Sequence, residues 1–196
     1  MKNLSSILFL LVLIFALSGC NTTQGIGHLN PEYSDYKITN VAIYVDNTGD
    51  SARMIEQGVV ESLNGKGIQA VGVRNYAQFS KSHEDFVEKV WGLGVEEVLA
   101  MSLSDSTGST TVGYQSFGSV NVYGNQANIT SMTTPMNALS RAIRIDAKLY
   151  NVEGDIVWAG EAKREASGLA FVGDGSMANN AVSAVMEALE SSQIIQ

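Results

Sequence analysis

Residues 143–150 carry the clearest order in the chain: Ile143, Ile145, Ala147 and Leu149 interleave with Arg144, Asp146 and Lys148. A two-residue repeat of this kind predicts a strand with one buried and one wet face. Asn151-Val152-Glu153-Gly154-Asp155 supplies turn chemistry, and residues 156–166, with Trp158 in the core, return as its hairpin partner. Upstream, Val41-Ala42-Ile43-Tyr44-Val45 is an apolar run of strand length. Residues 68–74 read as a second strand with Val71 and Val73 on one face. Val98-Leu99-Ala100-Met101 is apolar on both faces, which predicts an interior strand covered from both sides. Between these runs the period lengthens to that of a helix. Ile55, Val59 and Leu63 recur every four residues after a cap at Asp50 or Ser51, and Asn64-Gly65-Lys66-Gly67 stops the helix. Ser82, with Asp85 three residues on, opens a second helix in capping-box spacing. Its buried face is Phe86, Val87, Val90 and Trp91, and Gly92 with Gly94 ends it. A last helix starts at Asp174-Gly175-Ser176 and buries Val182, Val185, Met186 and Leu189. The order β-α-β-α-β, insertion, β-β-α predicts a single-domain α/β fold, a mixed sheet with about three packed helices.

The insertion is the oddest stretch. From 106 to 140 there is not one Asp, Glu, Lys or Arg, and Ser, Thr, Gly, Asn and Gln dominate. Thr110, Val112 and Tyr114 alternate with Thr111 and Gly113. Val120 and Val122 flank Asn121, and Gly124-Asn125 follows as turn chemistry. This spacing suggests a long β-hairpin-like arm. Three readings stay open. The segment is a solvated surface loop; or an edge hairpin, free of Lys gatekeepers, that pairs with another subunit or a partner strand; or a membrane-inserting hairpin of an oligomeric barrel. Tyr114, Phe117 and Tyr123 are its candidate contact residues.

The amino terminus changes the picture of where the domain works. Lys2 precedes an apolar stretch over residues 7–17, followed by Ser18, Gly19 and the only cysteine, Cys20. That is the layout of a secretory signal, with about half the apolar length of a spanning helix. Leu17-Ser18-Gly19-Cys20 resembles the lipobox of bacterial lipoproteins. The resemblance implies cleavage after residue 19, lipid on the Cys20 sulfur and an acylated amine, and a domain left without thiols. In the enterobacterial pattern this signal resembles, Asp at the second mature position favours the inner membrane, so the resemblance implies that Asn21 leans the sorting towards the outer membrane. The predicted organisation is a signal peptide over 1–19, a lipidated flexible tether over 20–37, and a periplasmic domain over 38–196. The tether reading rests on polarity and on Gly25, Gly27 and Pro31; the alternative, which Tyr33 and Tyr36 suggest, is that the segment packs on the domain as an irregular strand.

Charge and chemistry narrow the function. The chain carries 12 Lys+Arg against 20 Asp+Glu, a formal charge of −8, which argues against nucleic acid and against electrostatic adhesion to anionic lipid. Membrane attachment then falls to the acyl chains. Of the two histidines, His28 lies in the tether and His83 in the first turn of a helix, with no second His at i+4. Gly113-Tyr114-Gln115-Ser116-Phe117-Gly118 has one residue too many before Ser116 for a nucleophile elbow. Asp46, Asn47 and Asp50 read better as a turn and helix cap than as cation ligands. Trp91 and Trp158 read as core. No catalytic residues, cofactor or metal are predicted.

The phrasing of the last hairpin, Ile-Arg-Ile-Asp-Ala-Lys-Leu-Tyr followed by Gly-Asp-Ile-Val-Trp-Ala-Gly, joined to a lipobox and a β-α-β-α-β string, resembles one group of periplasmic lipoproteins. That group shares the fold of the TolB amino-terminal domain and includes the curli-secretion lipoprotein. Over residues 38–191 the resemblance implies a non-enzymatic envelope protein acting through protein contacts, with no site residue carried over. The expectation is a binding or assembly factor, lipid-anchored on the periplasmic face of the outer membrane, with an envelope protein as partner. The alternative is a self-assembling secretion or channel component, a homo-oligomer that uses 106–140 as its contact. A third reading places a small-ligand or enzymatic site at residues 46–50.

Overall fold

The computed structural model describes residues 22–123, 126–167 and 172–195. Its strands are β1 (Thr22–Leu29), β2 (Asn40–Asp46), β3 (Gln69–Gly72), β4 (Glu97–Tyr123), β5 (Gln126–Asn151) and β6 (Ile156–Ser167). Its α-helices are α1 (Asp50–Gly65), α2 (Arg74–Gln78), α3 (His83–Trp91) and α4 (Asp174–Ser191). The strands form one mixed sheet in the order β1-β6-β5-β4-β2-β3. β2 runs parallel to β3 and β4, and the pairs β4–β5, β5–β6 and β6–β1 are antiparallel.

The alternation of β2 divides the core in two. Val41, Ile43 and Val45 face α1 and α4 in a layer that also takes Leu99, Met101, Ile143, Ile145 and Leu149. Ala42 points the other way, with Tyr44, into a smaller layer closed by Val90, Phe86 and Trp91 of α3. Ile143, Ile145 and Leu149 are fully buried, each worth about 1.5–3 kcal/mol of apolar transfer. Arg144, Asp146 and Lys148 point to the same side of the sheet as Ala42 and Tyr44, beyond the part that α3 covers, and stay exposed.

Local chemistry sets the element ends. Gly67 at φ +83° continues the stop after α1, and Gly154 at φ +87° turns β5 into β6. Ser82 caps α3 by accepting from the Asp85 N–H at 3.2 Å, while the Asp85 carboxylate reaches back to the Lys81 N–H at 2.7 Å. Three details differ from the sequence reading. The N-cap of α1 is Gly49, with no side-chain cap, because Ser51 is drawn into a different contact. β3 is four residues long, and Arg74 opens the short helix α2. That makes four α-helices among the described residues.

The largest correction concerns the tether. Thr22–Leu29 is the edge strand β1, in register with β6 from Thr22↔Glu165 to Leu29↔Trp158. Its glycines are packing residues. A Cβ on Gly25 would stand 1.8 Å from the Ala184 carbonyl oxygen, and one on Gly27 would meet the Trp158 ring at 2.5 Å. Only glycine lets α4 lie this close to the strand. Trp158 completes the seam by donating Nε1–H to Ser192 Oγ at 2.7 Å.

Candidate functional site

The insertion is a hairpin continuous with the sheet. β4 and β5 stay paired from Glu97↔Asn151 out to Tyr123↔Gln126, with one bulge where the register shifts between Thr111 and Gly113. β2 leaves β4 at the level of Ser102, and β6 leaves β5 at Ser140. Past that point the ladder is two-stranded and its outer edges have no strand neighbour among the described residues. From Gly108 to Tyr123 it extends about 50 Å at the usual rise per residue. Residues 106–111 and 132–137 are exposed on both faces, so the arm stands off the helical layers.

The register sorts the predicted contact residues. Tyr114 is opposite Pro135 and 72% exposed. Phe117 is opposite Met132 and Tyr123 opposite Gln126. The two-residue repeat puts positions 117 and 123 on one face and 114 on the other, so the three positions do not form one patch. The side chains of Phe117 and Tyr123, like Cys20, lie outside the described residues.

The arm is fixed at its root by the two charges that bracket the neutral stretch. Asp105 on β4 and Arg141 on β5 sit diagonally across the ladder, since Asp105 faces Ile143 and Thr107 faces Arg141. Arg141 donates Nε–H to Asp105 Oδ1 at 2.8 Å and Nη2–H to Oδ2 at 2.5 Å, a fork-to-fork pair. Its Nη1 donates to Asp174 Oδ1 at 2.6 Å and to the Val172 carbonyl at 3.1 Å, and its Nη2 also reaches Ser51 Oγ at 3.0 Å. One guanidinium thus joins the arm to the first turns of α1 and α4. The side chains of Arg141 and Asp105 are 10% and 23% exposed. Hydrogen bonding from Arg141 holds the Asp105 carboxyl below the usual carboxylate range, against the opposing effect of burial. Sequence reading missed this hub because Ser51 and Asp174 look like helix caps. The signal was there in the way Asp105 and Arg141 alone border the neutral run.

The other predicted positions separate. His83 is the exposed first residue of α3. His28, on β1, lines a shallow depression on the open sheet face. Asp46 ends β2, and Asn47 caps the turn by accepting from the Gly49 N–H at 2.8 Å. Among the described residues no group of three or more His, Cys, Asp or Glu is placed to hold a metal ion, and no helix is long and apolar enough to cross a membrane.

No protein-family model matches this chain, and no curated protein sequence matches it. Its fold is similar to that of solved structures of PelC. A PelC dodecamer from Paraburkholderia phytofirmans superposes with a TM-score of 0.50 at 15% identity, covering 90% of this chain and 100% of that one. A variant of the same dodecamer in a second crystal form gives a TM-score of 0.47 at 16% identity, over 87% and 95% of the two chains. At these identities the likeness is one of fold.

Proposed function

We propose that this protein is a lipid-anchored, non-enzymatic assembly component of the cell envelope that works as a closed oligomer, its arms pairing with those of neighbouring copies. The observation that carries this reading is the arm itself. It offers two open strand edges over about 50 Å and no charge between Asp105 and Arg141 to oppose strand addition. A lone two-stranded ladder is at best marginally stable in water, and neighbouring copies supply a partner for each edge. The likeness of the fold to a subunit of a dodecamer supports a ring over a tethered monomer.

Cys20 is the proposed lipid site. Thr22, two residues on, is level with Glu165, which is level with Ala142 at the root of the arm. The start of β1 and the root of the arm therefore lie at the same end of the sheet, which supports an arm directed at the membrane to which Cys20 would be tied. It is longer than the ~30 Å hydrocarbon core, and closing a ring removes the open edges that hydrocarbon does not tolerate. The membrane in this reading is the outer one, as Asn21 favours.

The test replaces residues 110–138 with an Asn-Gly turn between the paired Ser109 and Leu139. Full-length chain extracted in mild detergent is expected to have the mass of a many-copy ring, and the shortened chain that of a monomer with an unchanged melting transition. A monomeric full-length chain overturns the reading. A shortened chain that still forms the ring overturns the role of the arm.

A further inference from the structure

β2 and β3 lie side by side and parallel, yet the chain leaves their carboxyl ends towards opposite faces of the sheet. Asp46 leads into α1, which packs in the larger core layer, and Gly72 leads into α2 and then α3, which packs in the smaller one. Such a divergence opens a crevice at the carboxyl edge of an open α/β sheet, where ligands bind in this architecture. Here the crevice is a cavity of about 360 Å³ whose walls include Thr48, Arg53, Glu56, Arg74, Asn75 and Gln78. That volume lies within the ~300–1,000 Å³ range of ligand pockets.

Glu56, on the second turn of α1, is 9% exposed and its Oε2 has no hydrogen-bond partner. Backbone N–H groups of Arg74 and Val45 stabilise this carboxyl, and Oε2 is the atom left without a donor, which is costly in a buried carboxylate. Gly72 makes room for it, since a Cβ there would stand 2.6 Å from Glu56 Oε1. Arg74, equally buried, donates Nη2–H to the Gly49 carbonyl at 3.3 Å. Gly49 is the N-cap of α1 without a side-chain cap, so the first-turn N–H groups of the helix remain available to an anion. Burial raises the Glu56 carboxyl above the usual carboxylate range, and the charge of Arg74 pulls it back.

The lining excludes several ligand classes. Two carboxylates, Asp50 and Glu56, balance two guanidiniums, Arg53 and Arg74, and Arg53 is paired with Asp50 at 3.3 Å. A polyphosphate needs an excess of cations, a metal ion a cluster of ligands, and a lipid tail an apolar wall. What remains is a small molecule with a cationic donor beside an anionic acceptor. We infer that this crevice binds an α-amino acid, its ammonium on Glu56 and its carboxylate on Arg74 and the amino end of α1. None of the lining residues lies on the arm, although Ser51 joins the same end of α1 to the arm's root, and ring formation is expected to be unchanged by occupancy.

The experiment is calorimetric titration of the full-length chain in detergent with individual L-amino acids, and with the decarboxylated amine and the deaminated acid of any that bind. At least one amino acid is expected to bind with Kd below about 1 mM, and each truncated analogue at least tenfold more weakly. Glu56→Gln, which keeps size and shape, is expected to lower the affinity at least tenfold with the oligomer mass unchanged. Failure of every amino acid to saturate the wild-type chain overturns the inference. So does an analogue that binds as well as its parent, which tests the chemistry even if the Glu56 variant does not fold. Full affinity in a folded Glu56→Gln overturns it as well.

Discussion

Replacing Arg141 by Met tests whether the arm is held by its root. Met keeps much of the apolar stem and removes the guanidinium, and with it five hydrogen bonds: two to Asp105 and one each to Asp174, Val172 and Ser51. Breaking a fully buried ion pair costs about 3–5 kcal/mol because the remaining charge is stranded. Here Asp105 is 23% and Asp174 63% exposed, so water recovers part of that. The expected loss is about 2–3 kcal/mol. It should be localised to the root, because residues 106–111 and 132–137 of the arm are exposed. In hydrogen exchange, the amides around 104–110 and 138–143 should lose protection while those of Ile145 and Leu99 keep theirs. The pH dependence has a definite sign. The Asp105 carboxyl is depressed in the folded state, so the pair contributes fully above the unfolded carboxyl value of about 3.9. That contribution disappears as pH falls through the lower folded value. Urea titrations at neutral and acid pH should therefore show wild type and Arg141→Met converging in acid. A neutral-pH difference under about 0.5 kcal/mol, with unchanged exchange at the root, would refute the reasoning.

Two further changes probe the body. Gly25→Val would drive a side chain into the Ala184 carbonyl, so β1 should leave α4 and become protease-sensitive at a cost of about 3 kcal/mol or more; a variant with the wild-type melting point and an intact amino terminus would contradict this. Glu97 is 2% exposed, accepts from the Asn40 N–H and Tyr36 hydroxyl at 3.2 Å each, and has its carboxyl raised, chiefly by burial. A raised carboxyl means the folded state holds its proton longer, so wild type should lose stability as pH rises from about 4.3 to that raised value. Glu97→Gln should remove this slope, and a melting-temperature profile that keeps it would assign the effect elsewhere.

The body of the fold was legible where period and burial coincide. The alternation of 143–150 matches its burial residue by residue, and the stripe Ile55, Val59 and Leu63 is fully buried on α1. Boundaries slipped where tertiary contacts override local preference, as at Ser51, whose hydroxyl serves Arg141 in place of its helix end. The tether was misread because glycine signals two opposite things. Gly25 and Gly27 look like freedom in a sequence, whereas here they mark where a helix touches a strand. The length and neutrality of the arm were readable, but its register was not: nothing in Thr111-Val112-Gly113 announces a bulge that changes which residues face each other. The crevice at Glu56 was half visible as a polar loop after the first strand. Its carboxylate lies on the next helix turn, and it takes Gly72, sixteen positions later, to seat it.

The pairing of β1 with β6 also sets an order of events. Thr22 opens the first strand, yet its neighbour in the sheet is Glu165. A strand whose partner is so distant closes late, because loop closure precedes any gain from the contact. Until residues 156–167 and α4 have emerged, β1 lacks both its strand partner and the helix it packs on. The edge that completes the sheet is thus a timer: β1 is free while the chain is incomplete, and packs against α4 once the last helix is in place.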